Sequence, residues 1–390
     1  MKRYVALFGC FCLLLTLLTG CVPQFMPTDT DTTKKTDYEK KLDELVDLLS
    51  EVYVDGYTTD ELGDYLAEAA IQATGDRWSY YISAEEYASY LEDSNNEYVG
   101  IGVTVQLVNE DDPGFTILEV NKNGPAFTGG ILPNDIILEV EGVSSLELGI
   151  EGVKDKIRGE AGTQVNLTIL RDGQELPMSI TRAVIEYEVV TYKMIDSVGY
   201  IKIADFQAHC AERSIEAIDD LLRQGATGLV FDVRFNPGGR KSELVQLLDY
   251  LLPEGILFRS VDYKGKETLD ESDGATFLDI PMAVLVNEDS YSAAEFFAAA
   301  LQEYEWATIV GNQTVGKGNY QQTFRLSDGS AVAVSTGHYS TPLGKNLEGV
   351  GVTPDKLIDV DYDTYLALYY ETVELEDDAQ LQAALEAVAE

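Results

Sequence analysis

The stretch GLVFDVRFNPGGRKSELVQLLDYLL, residues 228–252, decides how this chain is read. It opens on a short apolar run of the kind that forms a buried strand. It then passes through Asn236-Pro237-Gly238-Gly239, which has turn chemistry, and continues as a helical segment. The same rhythm surrounds it. GYIKIADF (199–206), MAVLVNE (282–288) and ATIVG (307–311) are further short apolar runs. AERSIEAIDDLLRQ (211–224) and AAEFFAAALQEY (293–304) are the helical segments between them. Strand and helix in alternation predict a largely parallel sheet covered on both faces. Ligands and chemistry then belong to the loops after the strands, here NPGG (236–239) and NEDSYS (287–292).

Working outward, the pattern before residue 185 differs. YVGIGVTVQL, GFTILEV, DIILEVEG and QVNLTILRDGQELPMSITR alternate or run in β-branched residues, and Asp172-Gly173 between two such runs predicts a hairpin. This is a β-rich module over residues 98–184. Upstream, 37–97 reads as helical: Leu42, Leu45, Val46, Leu49 and Val52 recur at helical spacing, and Thr58 to Glu61 forms a capping box for a second helix. DRWSYYISAEEYASYLED reads as a short loop and a third helix. The whole is an α+β multidomain chain, with an α/β core over 185–356 and a helical close over 357–390.

The first residues stand apart. MKRYVALFGCFCLLLTLLTGC has a basic start and an apolar run too short for a comfortable membrane span, the form of an export signal over residues 1–20. Residues 21–36 are a polar tether that need not fold. Of four cysteines, Cys10 and Cys12 lie in the signal and Cys21 at its edge, leaving Cys210 alone. No disulfide can therefore staple the mature domains. Cys210 reads as a small apolar residue near a helix start, with a reactive thiol beside His209 as the sharper alternative. The 27 Lys and Arg against 68 Asp and Glu leave a formal net charge of −41. No basic run follows a phosphate backbone, so nucleic acid is not an expected partner.

Ser290 and Ser292 sit where a nucleophile would sit, yet the chain has only two histidines, His209 and His338, and neither has the setting of a base or a metal ligand. NEDSYSAAEFFAAALQEYEWATIVGNQTVGKGNYQ (287–321) resembles the catalytic segment of the carboxy-terminal processing proteases, the S41 family of serine peptidases. The resemblance implies Ser292 as nucleophile, Lys317 of the Gly316-Lys317-Gly318 turn as general base (317 − 292 = 25) and Gln321 as the residue that orients the lysine. Such a base makes a demand of its own. A free lysine, with a pKa near 10.4, is deprotonated less than about once in a thousand at neutral pH. Lowering it by about 3 units requires on the order of 4 kcal/mol, which burial away from carboxylates supplies. A carboxylate in place of Gln321 would undo this.

RFNPGG matches the family's Arg-x-Asn-x-Gly-Gly loop, which implies an oxyanion donor from Gly238 or Gly239, with Gly238 weakly favoured, and a second from Ala293. Gly100-Ile101-Gly102-Val103 resembles the carboxylate-binding loop of PDZ domains, implying peptide capture by strand addition. Leu18-Thr19-Gly20-Cys21 resembles a lipobox, implying lipidation at Cys21 and an exported protein anchored at the cell envelope. The family further implies a core of the ClpP/crotonase-like type, protein or peptide substrates with apolar C-termini, homo-oligomers and no cofactor or metal. Three places depart from its pattern: Tyr291 stands for a small residue, Ala294 for a common serine, and DRWSYYISAEEY (76–87) departs from the usual Asp-Pro-His-Ser opening. The competing readings are a non-catalytic PDZ adaptor, a crotonase-like acyl-CoA enzyme, and a Ser-His pair using His338.

Overall fold

The computed structural model describes residues 35–389 apart from Tyr57, Asp60, Glu61, Glu110 and Asp111. The export signal, Cys21, most of the tether and the Glu61 end of the second capping box lie outside these residues. Among the described residues no helix is long and apolar enough to cross a membrane.

The chain divides into two compact units. The smaller combines the described residues up to Tyr87 with Gln321–Ser335. Its helices Asp37–Val52 and Leu62–Gln72 bury no side chain, although Leu45, Leu48 and Val52 form an apolar stripe on the first. DRWSYY is not wholly loop: Tyr80–Ile82 forms a strand that pairs antiparallel with Ala331–Ala333, and the third helix begins at Tyr87. Three consecutive residues with bulky or branched side chains suit a pleat better than a loop.

In the larger unit, the β-rich module is an antiparallel sheet in the order Val103–Gln106, Phe115–Val120, Ile136–Val140, Gln164–Arg171, Gln174–Thr181, with helix Ser145–Ile157 packed on it. Ile117, Ile131, Ile137, Val153, Val165 and Ile169 fill its core. Asp172 and Gly173 both take positive φ, at 51° and 76°, and join the last two strands in the twist that two-residue hairpins require. The run YVGIGVTVQL is broken in two: Glu97–Gly100 pairs with Ala183–Glu186, and Val103–Gln106 enters the sheet. The break, Ile101-Gly102, is where the chain turns.

The second body of this unit is built on a six-stranded sheet: Val190–Ile195, Val198–Ile203, Gly228–Asp232, Met282–Val286, Thr308–Gly311, Lys356–Leu357. Its first pair is antiparallel and every later pair parallel. Alternation along the strands gives each face its own cover. Leu229, Phe231, Val284, Val286 and Ile309 pack in one cluster with helices Cys210–Gln224, Lys241–Leu251 and Ala293–Glu303. Val230, Ala283, Leu285 and Val310 pack against Leu381, Ala384 and Val388 of helix Ala379–Ala389. Loops 233–240, 287–292 and 312–318 therefore all leave the carboxyl ends of adjacent parallel strands.

Candidate active site

The 287–292 loop ends at Ser292, whose backbone at φ 58°, ψ −123° is a conformation that non-glycine residues seldom hold. It is held by Glu295, three residues on and fully buried. Glu295 Oε2 accepts the Ser292 N–H at 2.9 Å and the Lys317 N–H at 2.8 Å. Oε1 accepts the Gly316 N–H at 2.7 Å and the Thr314 hydroxyl at 2.5 Å. One carboxylate thus ties the backbone of the serine to the backbone of the lysine turn. Burial pushes its pKa up more strongly than these bonds pull it down. Ser290 is a different kind of residue: it is fully buried and its hydroxyl donates to the Val233 carbonyl at 2.7 Å.

The lysine turn is narrow. A Cβ at Gly316 would lie 2.8 Å from the Val350 nitrogen, and one at Gly318 would lie 2.5 Å from Asn346 Oδ1. Neither position tolerates a side chain because the 346–351 segment runs directly beside the turn. Lys317 Nζ sits 5.7 Å from the centre of the Tyr291 ring. The large residue that departs from the family pattern is therefore a wall of the lysine's surroundings, with its ring face toward the amine.

The NPGG loop lies against Ser292. A Cβ at Gly238 (φ 89°) would come within 2.7 Å of Ser292 Cβ and 2.8 Å of the Ala293 nitrogen, so this approach needs glycine. Asn236 is fully buried and organises the loop: its Nδ2 donates to the Ile203 carbonyl, its Oδ1 accepts the Gly238 N–H, each at 2.8 Å, and its carbonyl accepts the Tyr291 N–H. The Gly238 N–H is consequently in use; Gly239, the next residue, is exposed and forms a bridge with Phe206.

A brace from the C-terminal segment holds both loops. Arg234, buried, bonds Asp232 and reaches Asp378 at 2.9 Å and Gln380 at 3.2 Å; Asp232 also accepts the Tyr200 hydroxyl at 2.8 Å. Burial would raise the Asp232 pKa, but the charge and bonds of Arg234 hold it below the ordinary carboxylate range. Phe235, in a left-handed conformation (φ 62°), packs edge-to-face on Tyr365 and Tyr369 of helix Tyr362–Tyr369. The Tyr365 hydroxyl donates to Asp289 of the 287–292 loop at 2.5 Å.

Other candidates fall elsewhere. His338 is exposed and its Nδ1 faces Asn319 Oδ1 at 2.7 Å, a setting with no call for a base. His209 lies between Glu97 and Glu212 at 3.8 and 3.9 Å. Cys210 is fully buried and burial raises its thiol pKa well above the usual value, which removes the reactive-thiol reading. Among the described residues no cluster of His, Cys, Asp and Glu could hold a metal ion. Gln321 Nε2 donates to Ser335 Oγ at 2.9 Å. Gly100-Ile101-Gly102-Val103 lines a groove of about 1160 Å³, with Val120, Ile150, Val153 and Ile157 as apolar lining, Lys122, Lys154 and Arg158 as charged lining, and Tyr192, Arg213 and Glu216 reached beyond the β-rich module. The roles of Glu295, Arg234 and Tyr365 were not read from the sequence. Ser292-x-x-Glu295 signals a helix cap there, and nothing in it shows that the same carboxylate reaches residue 317.

Comparison with known proteins gives two family matches. The model described as peptidase family S41 matches residues 197–358, and a PDZ domain model matches 116–171. A carboxyl-terminal-processing protease of Synechocystis sp. is 31% identical over 347 residues, covering 87% of this chain and 80% of the relative. A CtpA-like serine protease of Staphylococcus epidermidis is 32% identical over 319 residues, covering 81% of this chain but only 64% of that longer relative. Among solved structures, the photosystem II D1 C-terminal processing protease aligns at 25% identity with a TM-score of 0.47, over 83% of this chain and 94% of the other.

Proposed function

The chain belongs to peptidase family S41 as a serine-type, carboxyl-terminal-processing protease, and from that premise we propose that it cuts by a Ser292–Lys317 dyad. The observation that carries this reading is the single buried carboxylate, Glu295, that fastens the backbone of both residues. In the first step Ser292 Oγ attacks the scissile carbonyl carbon and its proton passes to the neutral Lys317 amine. The carbonyl oxygen becomes an oxyanion received by N–H donors of Ala293 and Gly239, the former at the positive end of helix Ala293–Glu303. The tetrahedral intermediate collapses, the lysine returns the proton to the leaving amine, and water releases the acyl group by the same steps in reverse order. Gln321 orients the lysine through its amide oxygen without adding charge.

In this reading the PDZ domain takes the substrate's apolar C-terminus as an added strand beside Val103–Gln106, with the carboxylate at Gly100-Ile101-Gly102-Val103. The groove beside that loop, with Val120, Ile150, Val153 and Ile157 among its lining, supports it. The protein is exported and anchored to the envelope through Cys21, on the strength of the sequence before residue 22. The uncovered stripe on helix Asp37–Val52 supports assembly into homo-oligomers.

The test mixes the protein, and its Ser292→Ala and Lys317→Ala variants, with an unfolded protein ending in apolar residues, and reads products by mass spectrometry. Cleavage by the parent alone is expected. Binding of the tail with no cutting by any form would favour a PDZ adaptor instead, and full activity in Lys317→Ala would remove the dyad.

A further inference from the structure

Gln321 is fixed by a chain of hydrogen bonds that leads back to the DRWS sequence near the N-terminus. Its Nε2 donates to Ser335 Oγ at 2.9 Å. The Ser335 hydroxyl bonds the Asp76 carboxylate, and so does Ser79, whose Oγ lies 2.5 Å from Asp76 Oδ2. Ser79 Oγ also accepts the Ser335 N–H at 2.9 Å, while the Trp78 N–H closes on Asp76 Oδ1 at 3.1 Å. Burial acts to raise the Asp76 pKa, and the bonds from both serines outweigh it, so the group is held as a carboxylate.

An ionised carboxylate only accepts, which sets the direction of every bond in the chain. Both serine hydroxyl protons point to Asp76, and Ser335 Oγ has only lone pairs left for Gln321. The two ends of an amide are nearly the same shape, so nothing but its partners decides which way round it sits. Turned over, Gln321 would set its oxygen against an oxygen whose proton is committed elsewhere.

We propose that Asp76, Ser79 and Ser335 are positioning residues that hold the Gln321 amide with its nitrogen toward Ser335, so that the carbonyl oxygen is the end left to accept from the catalytic lysine. This rests on the reading of Gln321 given above. It assigns a task to Asp76 and Ser79, the two positions that the chain keeps of the family's Asp-Pro-His-Ser sequence while it replaces the two between them.

The test is a double-mutant cycle on the full-length protein, with kcat measured on the tail-bearing substrate and thermal midpoints recorded alongside. Ser335→Ala lowers kcat about five- to tenfold, the scale of one lost hydrogen bond, at an unchanged KM. Ser335→Thr, which keeps the hydroxyl, restores most of it. Asp76→Asn, which can donate as well as accept, behaves like Ser335→Ala. In a Gln321→Ala background the Ser335→Ala change has almost no further effect on kcat. Equal losses with and without Gln321, or a Thr variant as slow as the Ala variant, would overturn the positioning role while the dyad stands. A Gln321→Ala protein as active as the parent would remove the role of Gln321 and this inference together.

Discussion

Glu295 carries more of the site than any other single side chain, because four donors from two separate loops converge on it. Glu295→Gln keeps the shape but turns one acceptor end into a donor facing N–H groups. In a Ser292→Ala background, which prevents self-cleavage, urea denaturation should show a loss of about 2–4 kcal/mol, since buried donors are left unpaired. With Ser292 intact, turnover should fall more than a hundredfold, because the strained serine backbone loses its anchor. The residues that take part in the proposed chemistry were legible in the sequence, since Ser292, Lys317 and Gln321 stand in fixed order at short spacing. Their supports were not. Asp76, Ser79 and Ser335 meet across 256 positions of chain in the bond from Ser335 to Ser79, and no local pattern announces such a meeting. That the Gly238 N–H is taken by an asparagine amide was not legible either, since the motif contains Asn236 but does not state which way its amide points.

At the level of elements, the core strands and helices were legible from apolar periodicity because each parallel strand is buried on both faces, as in Gly228–Asp232. Tyr80–Ile82 was not, being three residues long and paired with a distant partner. Helix Tyr362–Tyr369 reads only as a terminal segment, yet it touches both the 233–240 and the 287–292 loops. Tyr365→Phe keeps the ring on Phe235 and removes only the bond to Asp289. Its kcat should fall about three- to tenfold in single-turnover assays with little change in thermal midpoint. Tyr365→Ala should lower both. The Arg234 network makes a separate prediction about acid. Asp232 is held low, so its contribution is present above the unfolded value of about 3.9 and is lost as the pH falls through its folded value. Denaturant midpoints should therefore drop below about pH 4, and the drop should be shallower in Asp232→Asn.

For the molecule as a whole, a net charge of −41 on 390 residues is a load of self-repulsion that salt relieves. Raising sodium chloride from about 0.01 M to 0.15 M should raise the thermal midpoint by several degrees, measured by circular dichroism, and added Mg²⁺ should act at lower concentration because of its double charge. An unchanged midpoint would mean that the acidic groups are already well dispersed. The dependence of the NPGG loop on Asp378 also bears on the order in which the protein is made. A ribosome adding roughly 5–20 residues per second supplies Ser292 and Lys317 several seconds before it supplies Asp378. During that interval Arg234 has a charge destined for burial and only part of its counter-charge. If the proposed dyad holds, Ser292 and Lys317 are thus synthesised first, and the loop that faces them gains its last brace only when the C-terminal segment has followed.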